Sequence, residues 1–103
     1  MIDRVIAEVS VVPLGTSTPS VSKYVAACHE ILKAAHDIRY QLTPMATVIE
    51  GPLDGVLETV RRMHEVPFEM GAMRVVTTLK IDDRRDKVIT MESKVSAVEK
   101  HSH

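Results

Sequence analysis

The sequence predicts an α+β domain with an antiparallel four-stranded sheet, two helices against one face, and a short helix at the C-terminal end. Three observations predict it. Apolar residues alternate in two long stretches, residues 4–12 and 73–82, as half-buried strands require. They recur at three- and four-residue steps in residues 21–37 and from residue 52 onward, as amphipathic helices require. These patterns follow one another as strand, helix, strand, strand, helix, strand, with one further amphipathic segment at residues 90–99.

In the first strand, Val5, Ala7, Val9 and Val11 form a wholly apolar face, while Arg4, Ile6, Glu8, Ser10 and Val12 form a mixed one. Pro13-Leu14-Gly15 is expected to end it. The hydroxyls of Thr16 to Ser20 offer caps for the first helix. Val21, Tyr24, Val25, Cys28, Ile31, Leu32 and Ala35 form that helix's buried stripe, with Lys23, His29, Glu30 and Lys33 opposite. Residues 38–43 alternate again, with Ile38, Tyr40 and Leu42 toward the core. Pro44-Met45 turns the chain into a short apolar strand at residues 46–50. Gly51-Pro52 then reads as a helix start, because glycine is accepted as an N-cap and proline at the first helical position. The second helix buries Leu53, Val56, Leu57, Val60 and Met63, and Pro67 closes it. In the last strand Val75, Thr77, Leu79 and Ile81 oppose Arg74, Val76, Thr78, Lys80 and Asp82. Asp82 to Lys87 reads as a charged, solvated turn.

This order is the split βαβ pattern of ferredoxin-like folds, a βαββαβ unit with sheet order 4-1-3-2 and both main helices on one face. Strands 1 and 3 are then antiparallel neighbours, which brings Ser10 close to Thr47. The opposite sheet face carries Ile6, Val12, Val76 and either Val48 or Ile49. That patch is expected to be covered by another subunit or by the C-terminal helix.

The 103 residues, 45% hydrophobic and 26% charged, fit one domain over residues 1–103 with a single core. No run approaches the ~20 apolar residues of a membrane span, and the N-terminus does not read as a signal peptide. A formal net charge of −1 argues against recruitment by nucleic acid. The single cysteine excludes an internal disulfide and suits a cytoplasmic location. Cys28 reads as a buried thiol rather than a nucleophile, and His29, His36 and His64 as helix-surface residues without metal-ligand spacing. There is no phosphate-binding glycine loop, no aromatic platform for RNA and no arginine loop of the acylphosphatase type. What remains for chemistry is a set of polar groups at strand ends: Ser10, Thr47 and Glu50, with Arg74 nearby. They are read either as ordinary strand residues or as groups orienting a small flat heterocycle in an apolar pocket.

The segments EVSVVPLGT at 8–16, SVSKYVAACHEIL at 20–32, TPMATVIEG at 43–51 and GAMRVVTTLKIDDRRDK at 71–87 resemble the thiamine-binding-like protein family over nearly the whole chain. The resemblance implies a cytoplasmic, non-catalytic protein that binds thiamine or its hydroxymethylpyrimidine precursor without a cofactor. It implies assembly as a dimer of dimers, while composition and the lack of a long apolar run point to no nucleic-acid or membrane partner. It matches Ser10 to a ligand-facing serine in an FSLYP-like motif and Thr47 to the threonine of an STVLRG-like motif. Where the relatives have arginine in that second motif, this chain has Glu50, and a carboxylate suits a thiazolium or an aminopyrimidine. The alternative reading is a structural or regulatory interaction module that uses the open sheet face.

Overall fold

The structure, a computed structural model, describes residues 4–15 and 22–101. Strand β1 (Arg4–Leu14) leads to helix α1 (Ser22–Ala34), then to strands β2 (Arg39–Leu42) and β3 (Thr47–Pro52). Helix α2 (Leu53–Glu69), strand β4 (Arg74–Asp82) and helix α3 (Met91–His101) complete the order. The strands lie as β2-β3-β1-β4 with every pair antiparallel, which is the expected ferredoxin-like order. The hydroxyl caps expected at Thr16 to Ser20 lie outside the described residues.

One face of the sheet is the core. Val5, Ala7 and Val9 of β1 and Ile49 of β3 pack against Cys28 and Leu32 of α1 and against Val56, Val60, Met63 and Val66 of α2. Tyr40 packs there too, as its parity with Ile38 predicts. The opposite face is only half covered. Ile89 and Met91, leading into α3, bury Ile6 and pack on Val48, whereas Val12 and Val76 remain 40% and 46% exposed. Of the two expected covers, the C-terminal helix takes one end of this face.

Several boundaries shift for local reasons. β1 runs through Pro13 to Leu14. Past Val9 its partner among the described strands is β4 alone, and a residue without an N–H is tolerated on such a half-open strand. Gly51 stays in β3, and Pro52, with φ −60° and ψ 144°, is the N-cap of α2 in place of the glycine. Gly51 is there for close approach: a Cβ would fall 2.5 Å from Ile38 Cδ1 and 2.9 Å from the Asp37 carbonyl oxygen. That approach depends on a left-handed turn at Asp37 (φ 59°), whose carboxylate pairs with Arg4 at 3.0 Å.

Pro67 does not close α2 but sits inside its last turn. A proline at this point removes the N–H that would bond the Met63 carbonyl one turn earlier. The Cys28 thiol donates to that carbonyl instead, Sγ to O 3.4 Å, and so joins α1 to α2. Burial raises the thiol's pKa above its ordinary value, which keeps it protonated as a donor. His64, expected on the helix surface, ties α2 to β4 through Nδ1 and Thr77 Oγ1 at 2.7 Å. After β4, Arg84 pairs with Asp86 and Arg85 with Asp83, and each arginine's hydrogen bond lowers the pKa of its carboxyl partner. That is the solvated charged turn read from the sequence.

Candidate functional site

The site grows from a mismatch in strand length. β3 begins at Thr47, opposite Val9, while β1 continues from Ser10 to Leu14 with no described strand on that side. The β2–β3 turn closes the gap. Thr43 Oγ1 donates to the Ala46 carbonyl at 2.8 Å and accepts from the Ala46 N–H at 3.1 Å, while Pro44 supplies the bend. This turn, the protruding part of β1 and the inner face of α1 enclose a cavity of about 310 Å³. Its walls are largely apolar, from Val25 and Leu32 of α1, Met63 of α2 and Leu42 of β2.

Polar groups enter this cavity at few points. Thr47 lies at its floor, on the helix face, since its register partner is Val9 and it shares parity with buried Ile49. Ser10 also lines it. Strand alternation, however, sends the Ser10 side chain to the opposite sheet face, beside its register partner Thr78. The consecutive residues Val9 to Val12 all border the cavity, which a strand can do along its edge. What β1 offers past Val9 is a stretch of strand with no described partner on the β3 side, and the expected convergence of two hydroxyls is replaced by one hydroxyl and this strand edge.

Glu50 is placed elsewhere. Its register partners are Ile6 and Arg39, so it lies on the face covered by the α3 segment, where it is 1% exposed. Arg39 Nη1 donates to its Oε2 at 2.9 Å, and Arg39 Nη2 reaches Glu92 Oε1 of α3 at 2.8 Å. The other oxygen, Oε1, has no hydrogen-bond partner among the described residues. Glu50 is thus a buried anchor for the C-terminal helix, neither a solvated strand end nor a wall of the cavity. Arg74, at the start of β4, is likewise exposed and outside the cavity lining.

His29 is the residue that the sequence reading put on the wrong side of α1. It lines the cavity with Cys28, its ring stands edge-on to Tyr40 at 5.1 Å between centroids, and its Nε2 lies 3.5 Å from the Tyr40 hydroxyl. Its Nδ1 is buried without a partner among the described residues. The signal was there: Val25, Cys28, His29 and Leu32 follow helical spacing, and all four face the cavity. Among the described residues no group of three or more metal-ligating side chains comes together.

A family model described as "Thiamine-binding protein" matches residues 7–99. The chain belongs to the thiamine-binding protein family. It is 52% identical over 99 residues to the UPF0045 protein YqgV of Bacillus subtilis, covering 93% of this chain and 95% of that one. Among solved structures it is similar to the hypothetical protein MJ1052 of the archaeon Methanocaldococcus jannaschii, with a TM-score of 0.87 and 41% identity over 95% and 98% of the two chains. It is also similar to TM0486 of Thermotoga maritima, a protein assigned provisionally to thiamine biosynthesis or salvage. There the TM-score is 0.76 at 25% identity, over 92% of this chain and 98% of that one. The fold and family read from the sequence are those of these relatives. Among the described residues, no helix is long and apolar enough to cross a membrane.

Proposed function

We propose that this chain is a non-catalytic cytoplasmic protein that binds thiamine or a hydroxymethylpyrimidine-type precursor and works as a homo-oligomer, a dimer of dimers. The observation that carries the reading is the cavity between the start of β3 and α1. It is of the size that encloses a small ring, and it is apolar with a few polar groups at its floor. The family's name and the thiamine-related description of the Thermotoga relative support the ligand class. Thr47 supplies a hydroxyl to the ring, the β1 edge beyond Val9 supplies backbone donors and acceptors, and Glu50 contributes by holding α3.

Titration calorimetry with thiamine and with hydroxymethylpyrimidine tests this directly. Heat at sub-millimolar ligand is expected, and silence at millimolar ligand would defeat the reading. Thr47→Val keeps the shape of the floor and removes its hydrogen bond, so binding should weaken by about 1 kcal/mol, roughly fivefold. Unchanged binding would move the ligand out of this cavity. A silent titration together with a stable complex with another protein would favour the interaction-module reading, in which the uncovered strip around Val12 and Val76 is the contact.

A further inference from the structure

Two prolines fix which way the backbone of β1 points. Along an antiparallel ladder every second residue turns both its N–H and its C=O toward the same neighbouring strand. Pro52 stands opposite Arg4 and Pro13 opposite Val75, and a proline has no N–H to exchange. Arg4–Pro52 and Pro13–Val75 are therefore non-hydrogen-bonded positions of their ladders. Both give one phase: odd-numbered residues of β1 turn their backbone groups toward β3, and even-numbered ones toward β4. Val9 is bonded in this way to Thr47, the first residue of β3. Val11 is the next residue of that phase, and there β3 has not begun. Continuing the register would set Met45 opposite it, but the β2–β3 turn takes Met45 away. The Met45 N–H donates to Thr43 Oγ1 at 3.4 Å, and the residue is 87% exposed. Val11 borders the cavity and has no strand partner on that side among the described residues.

We propose that the N–H and C=O of Val11 are the reading edge of the cavity, and that they take a ring carrying an acceptor nitrogen beside an exocyclic amino group. This rests on the proposed function and names the part of the ligand that is recognised. One extended residue holds its N–H and C=O side by side, as the narrow pair of a ladder. The ring nitrogen accepts from the N–H, and the amino group donates to the C=O, as the absent partner residue would. Pro13 follows on the same edge with a carbonyl alone, so the donor of this edge is at Val11. None of the residues lining the cavity is an acid, a lysine or an arginine, which leaves recognition to neutral groups. A ring with donor and acceptor exchanged would set N–H against N–H and oxygen against oxygen, so the edge rejects it.

Amide hydrogen exchange of the whole chain, followed by NMR, tests the geometry before any ligand is added. The Val11 amide should exchange faster than those of Ser10 and Val12, which are bonded to β4, by on the order of tenfold or more. The reverse order would overturn the proposal. Hydroxymethylpyrimidine and thiamine carry the same aminopyrimidine edge. With either at saturation, exchange at Val11 should slow roughly tenfold. The corresponding oxo compound, in which a carbonyl replaces the amino group and the ring nitrogen carries a proton, should bind roughly tenfold more weakly in calorimetry. Binding that leaves Val11 exchange unchanged, or equal affinity for the amino and oxo compounds, would overturn the proposal and leave the proposed function standing. Silence with every compound would defeat both.

Discussion

The two faces of the sheet are held by different physics. The helix face is an apolar layer in which Val5, Val9, Ile49 and Val56 are at most 1% exposed. The open face owes its C-terminal cover to Ile6, Ile89 and Met91 together with an ion bridge running from buried Glu50 through Arg39 to Glu92. The contrast separates stability from attachment. Apolar burial on one side builds the fold, and a small apolar cluster on the other fixes α3 only with help from a buried carboxylate. The cavity lies on the first side, at the place where that layer thins because β3 is shorter than β1.

The sharpest way to break the comparison is to truncate one apolar residue on each face, buried Ile49 and exposed Val76. Ile49→Ala should cost about 3 kcal/mol in urea unfolding, since Ile49 is fully buried between the sheet and both main helices. Val76→Ala, on the uncovered half of the other face, should stay within about 0.5 kcal/mol. Comparable losses would mean that the open face is as closely packed as the core. Next in size is Arg39→Met, which leaves Glu50 buried without its partner. Because Arg39 is itself half exposed, the expected loss lies below the range for fully buried pairs but above that of Val76→Ala. Adding Glu50→Leu should return most of it. If it does not, Arg39 acts through Glu92 or through packing, and the anchor role of Glu50 falls.

Much of this arrangement was legible in the sequence, and what was not has a common cause. Alternation in β1 and β4 and the helical stripes of α1 and α2 determine which side of each element is apolar, and from there the ferredoxin-like order follows. The neighbourhood of Ser10 and Thr47 was also within reach, because strands 1 and 3 had to be adjacent. Which of two facing residues shares a sheet face depends on inter-strand register, and periodicity within one strand does not carry that information. Val9, rather than Ser10, stands opposite Thr47, and that one-residue difference sends the serine side chain to the far face. Glu50 illustrates the same gap. A carboxylate near a strand end reads as solvated until the register sets Arg39 beside it and the α3 segment over it. His29 differs, because helical spacing already placed it next to Cys28 and facing Leu32. Its polarity outweighed its position.

The smallest of these effects sharpens the account of the helix face most, because it asks whether a polar group inside that apolar layer stabilises the fold. The Met63 carbonyl lies where the Pro67 ring removes a helical donor, and the Cys28 thiol fills the place at 3.4 Å. Cys28→Ala should therefore cost about 1 kcal/mol beyond the small loss of buried volume, since it leaves a buried carbonyl without a donor. In a Pro67→Ala background the backbone N–H of residue 67 can take over, so the same Cys28→Ala change should cost less by roughly 0.5–1 kcal/mol. Unfolding curves of the four proteins in that cycle measure the difference. Strict additivity would mean that the thiol is held there by packing alone. A positive coupling would identify the Cys28 hydrogen bond as what offsets a proline in the last turn of α2, with α1 fixed against α2 at the wall of the cavity as its consequence.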